Sequence, residues 1–202
     1  MNIIRLGYRI VQKIQSSFTF LVFQYPRIIK YNFLSGYKNI QGKPKLNQPV
    51  LFTGKGNFFF GKNVTLGVQA SPFFYNGYIY IDARKKESVI SFGENIWVNN
   101  SCSFISEGTG IEIGSDTLIG TNCEFIDSDF HGLDPQTRRK GGVPKTAKIT
   151  VGTNVFFGSN VKIMKGVTIG DNSVIGNSSV VIKSIPANVV ASGNPAKILK
   201  RL

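Results

Sequence analysis

The 202-residue chain has little of what builds a metal centre, a disulfide scaffold or a membrane span. It has one histidine, two cysteines and one tryptophan. A lone histidine excludes a zinc site made of three imidazoles, and no metal is called for. Cys102 and Cys123 are too few for the disulfide framework of a small secreted protein. No apolar run reaches the roughly twenty residues that a bilayer span requires. The short run from Phe18 to Phe23 lacks the small-residue cleavage site of a secretory signal. Acidic residues are also scarce. Asp and Glu number 11 against 24 Lys and Arg, a net charge of +13. That excess attracts an anion such as nucleic acid, a membrane surface, an acidic glycan or a phosphorylated cofactor. Nucleic acid is disfavoured, because the cations are not interleaved with exposed aromatics along one face.

What the chain does have is 22 glycines and a six-residue beat. Between residues 149 and 186 an aliphatic or aromatic residue recurs at Val151, Phe157, Ile163, Ile169, Ile175 and Val181. Gly152, Gly158, Gly170 and Gly176 follow four of them, and a second set, Val155, Val161, Val167, Ser173, Ser179 and Ile185, keeps the same period. Neither the helical nor the strand period produces this pattern. A six-residue unit cannot bury a face alone, so it must stack on copies of itself. Three units make one cycle, which predicts an all-β solenoid wound as a triangular prism of short parallel strands, with Gly or Asn at corners needing positive φ. Val151 is then expected on Ile169, Phe157 on Ile175, and Ile163 on Val181.

The beat extends backwards through Phe125, Ile119-Gly120, Ile113-Gly114, Phe104, Val98 and Phe92-Gly93, and more loosely through Leu66-Gly67 and Phe60-Gly61. Val98, Ile119, Phe157 and Ile175 align on one side, which places Cys102 and Cys123 inward in adjacent coils as small core residues. The stretch before Ile90 alternates and contains Asn76-Gly77, which predicts a hairpin or longer strands. Residues 1–45 differ: Ile3, Leu6, Ile10 and Ile14 describe an amphipathic helix beside Arg5, Arg9 and Lys13. Two readings stand for this basic segment, a cap over the open end of the solenoid or a helix on a membrane surface. The expected organisation is 1–45 as a helical segment, 46–190 as the β-helix with a protruding loop over 131–148, and 191–202 as a basic tail with a short helix from Asn194-Pro195.

The next unit should begin at position 131, where the only histidine stands instead of an aliphatic residue. About twenty residues then loop out, and long loops on a regular scaffold carry function. An imidazole titrates near working pH and suits a general base. Asp127 or Asp129 would hold its ring in one tautomer, with Asp129 favoured, although a backbone carbonyl would serve equally. The loop is itself basic (Arg138, Arg139, Lys140 and Lys145), which places Arg138 against an acidic or phosphate-bearing acceptor.

The beat, the looped-out histidine and the ending GNPAKILKRL resemble the hexapeptide-repeat acyltransferases. The stretch FIDSDFHGLDPQTRR is similar to bacterial sugar and polysaccharide O-acetyltransferases of the maltose and galactoside acetyltransferase group. The resemblance implies a left-handed parallel β-helix, a homotrimer with active sites between subunits, and acetyl-CoA lying along the coils. It implies His131 as catalytic base and the Ser159 backbone N–H as donor to the oxyanion. Asn99 matches an acceptor-contacting asparagine, with Asn100 beside it; a corner asparagine in a left-handed conformation is the alternative. Phe156, Ser159, Asn177, Lys183, Lys197 and Lys200 match positions facing coenzyme A. Asn177 stands where a small residue is usual, and lysines stand where arginines are common. The implied function is acetyl-CoA-dependent O-acetylation of a sugar hydroxyl, of a surface polysaccharide or its precursor, in the cytoplasm or peripherally at the inner face of the membrane. The alternatives are N-acetylation of an amino or nucleotide sugar and a non-enzymatic polyanion-binding solenoid.

Overall fold

A computed structural model describes residues 3–36 and 39–202, without the side chains of residues 3–7. The side chains of Ile3, Arg5 and Leu6 in the expected amphipathic helix therefore lie outside the described part. From Ile40 onward the chain winds through three sheets of six, eight and six strands, here A, B and C, parallel except for the last strand of B. Up to Val180–Val181 successive strands enter A, B and C in turn and pair in parallel with the strand one coil away; the last two both join B. The strands are short, many of only two residues, because the chain must turn every six.

The stacking follows the beat. Val151 is in register with Ile169, Phe157 with Ile175, and Ile163 with Val181. On sheet B the column runs Leu66, Val98, Ile119, Phe157 and Ile175. Both repeat sets point inward and are buried. Phenylalanines fill the middle of the prism in an unbroken series. Phe60 stacks on Phe92 at 5.0 Å, Phe92 meets Phe104 edge-on at 5.0 Å, Phe104 stacks on Phe125 at 4.8 Å, and Phe125 meets Phe157 edge-on at 5.3 Å. Each such ring contributes about 2–3 kcal/mol of burial.

The corners divide the work expected of Gly or Asn. The beat glycine Gly158 does not take positive φ; Asn160, two residues on, does, at φ 60°. Gly158 is needed for space, since a Cβ there would land on the Oδ1 of Asn177 in the next coil. The corner asparagines form ladders: Asn154 Nδ2 donates to Asn172 Oδ1 at 2.9 Å, and Asn172 Nδ2 to Asn188 Oδ1 at 2.9 Å.

Three expectations are corrected, and one that offered two alternatives is decided. The first strands, Ile40–Gln41 and Lys45–Leu46, already belong to sheets A and B, so the coil starts before residue 46. Of the hairpin or longer strands expected around Asn76-Gly77, the longer strands form, such as the five-residue Ile79–Ala83. Ile79–Ala83 is a parallel strand between Val50–Gly54 and Ser103–Ser106, because two parallel neighbours satisfy both of its edges where a lone hairpin would satisfy one. The tail is not a helix: Ala196–Arg201 is a strand antiparallel to Val189–Gly193. A helix this short is marginal in water, whereas the open edge of sheet B offers backbone partners. Asp127 and Asn100 are interior residues, as described below.

The N-terminal segment is helical throughout, as α1 (Ile3–Thr19), a π-helical turn (Phe20–Gln24) and α2 (Tyr25–Leu34). Ser35 ends it at the edge of sheet C, where its Oγ accepts from Phe52 N at 3.0 Å.

Candidate functional site

The histidine loop leaves sheet C after the strand Glu124–Ile126. Asp127, next in the chain, is fully buried. Its carboxylate accepts from Ser106 Oγ (2.7 Å), Glu107 N (2.6 Å), Thr109 Oγ1 (2.9 Å) and Gly110 N (2.8 Å). Three of these bonds end on Oδ2 and one on Oδ1, so the buried carboxylate fixes the turn of the coil below and is out of reach of a ring or an acceptor. The loop then doubles back as a narrow arm. Asp129 N donates to Lys145 O at 3.1 Å, Ala147 N to Asp127 O at 2.9 Å, and Gly132 N to Gly141 O at 2.8 Å. The excursion thus begins at Asp127, four residues before the histidine. Arg138 lies in a short 3-10 turn of the arm and is exposed.

His131 is exposed, and its ring makes no hydrogen bond among the described residues. Its backbone is held firmly. His131 N donates to Asp129 O at 2.8 Å, and Phe130 sits at φ 61°, a left-handed conformation that a bulky side chain rarely adopts. The Phe130 ring lies under the Arg84 guanidinium, 4.5 Å from its centroid. Arg84 is tied to Asp82 at 2.8 Å and Glu107 at 3.1 Å. Burial works against its charge, yet these two carboxylates raise its pKa above the ordinary value. Asp129 Oδ1 pairs with Lys165 Nζ at 2.6 Å, while its buried Oδ2 has no partner. No hydrogen bond joins Asp129 to the His131 ring.

A second set of expected residues follows sheet B. Trp97, Leu118 and Phe156 are in register on its outer face, each 48% exposed. With Asn99 and Gly120 they line a cleft of about 210 Å3. Asn99 is half-buried and donates from Nδ2 to Ser71 Oγ at 3.0 Å. It is not left-handed; Ser101 takes that conformation, at φ 60°. Asn100 is fully buried and binds Val68 N and O, Ser71 O and Pro72 O, so it anchors the loop after Gly67 instead of facing an acceptor.

Phe156 leads into the corner carrying Ser159, whose N–H donates to Asn177 Oδ1 at 2.9 Å. The same arrangement recurs elsewhere: Thr153 N donates to Asp171 Oδ1 at 2.7 Å, and Glu94 N to Ser115 Oγ at 3.0 Å. The N–H expected to meet an oxyanion therefore already has an acceptor. Lys197 and Lys200 lie on the last strand, where an odd spacing would put them on opposite faces. A bulge between their partners prevents this: Lys197 is in register with Ser192 and Lys200 with Val190, two residues apart, so both lysines share one face. Lys183 stands apart from them, after the sheet C strand Val180–Val181.

Within one chain these groups form two separate edges. Asn99, Ser159 and Asn177 sit where sheet B turns into sheet C, while Asp129, His131 and Lys183 sit where C turns into A. The strand Lys162–Met164 connects the Ser159 corner to Lys165, the partner of Asp129, over roughly 15–20 Å of extended chain. Arg84 and Lys165 had no signal in any motif. Lys165 becomes visible only through register, since it follows Met164, the partner of Ile126. Cys102 and Cys123 are inward, with Sγ atoms 3.1 Å from Gly120 O and Gly158 O, and burial pushes the Cys102 thiol well above its usual pKa.

Residues 148–183 match the family profile described as "Bacterial transferase hexapeptide (six repeats)". The chain is 39% identical over 144 residues to the galactoside O-acetyltransferase of Escherichia coli, covering 60% of this chain and 70% of that one. It is 33% identical over 163 residues to WbbJ of Escherichia coli, a protein named for O-acetyl transfer in lipopolysaccharide biosynthesis, covering 76% of each. Other curated relatives are matched over little more than half their length, 57% and 53% for two yeast proteins. Among solved structures, AntD, an N-acyltransferase from Bacillus cereus, superposes with a TM-score of 0.59 at 19% identity, covering 87% of both chains, a likeness of fold. With its coils stacked in six-residue units as a left-handed parallel β-helix, and with relatives matched over two thirds of their length and more, this chain belongs to the hexapeptide-repeat transferase family.

Proposed function

We propose that the protein transfers an acetyl group from acetyl-CoA to a sugar hydroxyl, the acceptor being a surface polysaccharide or its precursor, and that it does so as a homotrimer. The observation that carries this reading is the placement of the only imidazole: exposed, on a braced arm, at the break in the coil. The names of the two Escherichia coli relatives support the choice of a sugar hydroxyl.

Acetyl-CoA supplies an activated acyl group and a thiolate leaving group. The outer face of sheet B suits such a donor, with an apolar column that runs from Phe156 through Val174 to Val190 and two lysines aligned by the bulge beside it for phosphate charge. His131 takes the proton of the acceptor hydroxyl as its oxygen forms the new ester bond, and returns that proton to the departing sulfur. Asp129, through its unpartnered Oδ2, is the group available to orient the ring once the ring turns inward. Asn99 and Arg138 hold the acceptor. The Ser159 N–H stabilises charge growing on the carbonyl oxygen after exchanging its bond to Asn177. Because the His131 edge and the Ser159 edge are separated in one chain, the site is completed by a neighbouring copy.

The test is thiol release from acetyl-CoA with sugar, amino-sugar and polysaccharide acceptors. His131→Ala should lower kcat by roughly 10²- to 10⁴-fold without weakening coenzyme A binding. Undiminished turnover would remove the base from this reading, and an alkali-stable product would move the transfer from oxygen to nitrogen.

A further inference from the structure

The N-terminal helices are attached to the β-helix by the wrong face for a globular protein. From Ile3 to Leu34 the backbone is continuously helical, a rod of roughly 48 Å at 1.5 Å per residue. The side against the coil is mainly polar, with two aromatic contacts, Phe20 to Phe74 at 6.4 Å and Tyr31 to Tyr78 at 4.7 Å between ring centroids. Ser16 Oγ accepts from Gln69 Nε2 at 2.9 Å. Gln24, fully buried, donates to Asn47 O at 3.0 Å and Phe74 O at 2.8 Å. Arg27 donates to Gly77 O at 2.6 Å, and burial lowers its pKa. The opposite side carries Ile10, Ile14, Phe18 and Leu21 at turn-by-turn spacing and, two turns on, Ile29 and Phe33, each more than half exposed. An amphipathic helix in a soluble domain turns its apolar stripe to the core and its polar face to water. Here most of the apolar surface turns away from the coil, and that row has no partner among the described residues.

Charge identifies the partner. The first 81 residues contain ten Lys and Arg and no Asp or Glu; all the carboxylates begin at Asp82. Arg9, Lys13 and Lys30 are exposed on the rod, with stems long enough to lie along apolar surface while the charge reaches outward. A second copy of the chain would bring the same unbalanced cations to the interface, with no carboxylate from this half to meet them. An anionic bilayer surface answers both features, since acyl chains take up the row and phosphates pair with the cations. No described helix is long and apolar enough to cross a membrane, so the rod would lie in the interface plane.

We infer that the α1–α2 rod docks flat on an anionic lipid surface, with the Ile10-to-Phe33 row sunk among the acyl chains and Arg9, Lys13 and Lys30 against the headgroups. The docking is independent of the transfer reaction and stands or falls separately from it.

The full-length protein should co-sediment with vesicles of phosphatidylcholine mixed with phosphatidylglycerol, and far less with phosphatidylcholine alone. Raised salt should weaken the binding. Reversing two charges in Arg9→Glu/Lys13→Glu should cut the partition at least tenfold, since each basic residue near an anionic surface is worth about fivefold. Ile14→Asp/Phe18→Asp should abolish it while leaving the thermal midpoint of the β-helix unchanged. As a second readout on a chain with an intact apolar row, the fluorescence of Phe18→Trp should shift blue and be quenched by brominated lipid. The inference is overturned if the wild-type chain ignores anionic vesicles, or if it binds them as well after Ile14→Asp/Phe18→Asp. It is equally overturned if that double variant instead dissociates an assembly held together through the row.

Discussion

At His131 the ring is free while the backbone beneath it is fixed. A phenylalanine in a left-handed conformation costs about 1–3 kcal/mol and persists only where surrounding contacts hold it, here the Arg84 stack on Phe130. The Asp129–Lys165 pair braces the same arm from the next coil. Lys165→Met would leave a largely buried carboxylate with no partner and should destabilise the fold by about 1–3 kcal/mol. Differential scanning calorimetry should show a midpoint lower by several degrees, and adding Asp129→Asn should recover part of it. The Ser159 N–H poses a sharper question, because Asn177 Oδ1 already accepts its hydrogen. If that N–H serves the transition state, Asn177→Ala removes a competitor worth about 1 kcal/mol and should raise kcat roughly fivefold. A kcat that stays level or falls would assign the N–H to the corner ladder alone.

At the scale of elements, the corners and the terminal strand carry the most specific demands. Gly158 is packed against the Asn177 corner of the next coil. Gly158→Ala should therefore shift two coils apart and cost on the order of 1–3 kcal/mol, read as a lower urea midpoint with an unchanged slope. The last strand closes the open edge of sheet B and, through its bulge, aligns Lys197 with Lys200. Lys197→Ala and Lys200→Ala should each raise KM for acetyl-CoA by about five- to tenfold and leave kcat nearly unchanged, since a charge bound equally in ground and transition states affects binding only. A change in kcat instead would place these lysines nearer the chemistry than the phosphate end.

For the whole molecule, the separation of the two edges along sheet C is decisive. In one chain His131 follows a strand of sheet C, while Asn99 and Ser159 follow strands of sheet B at another edge. Mixing inactive His131→Ala with inactive Asn99→Ala subunits, unfolded and refolded together, should therefore restore part of the activity, because some interfaces would receive the intact residue from each parent. Activity that stays at the level of the separate variants would confine the site to one chain and remove the shared-interface arrangement.

The winding was legible in the sequence by itself. Its period of six, its inward columns and the pairing of Val151 with Ile169 follow from one local fact, that a unit too short to bury its own face must lie on the next. The break at His131 was legible for the same reason, as a missing member of a periodic set. What the tertiary structure decided is everything that depends on which coil lies opposite. Asp127 and Asp129 read alike in the chain, yet one is held by four donors and the other faces Lys165. Asn99 and Asn100 are adjacent, yet the corner after Trp97–Val98 sends one to the cleft and the other into the interior. The tail has the composition of a helix but becomes a strand because an unpaired sheet edge lies beside it. The N-terminal helix has a periodic apolar face, but only its contacts show that this face turns away from the protein. Periodicity is written along the chain, whereas burial and partnership are set across it.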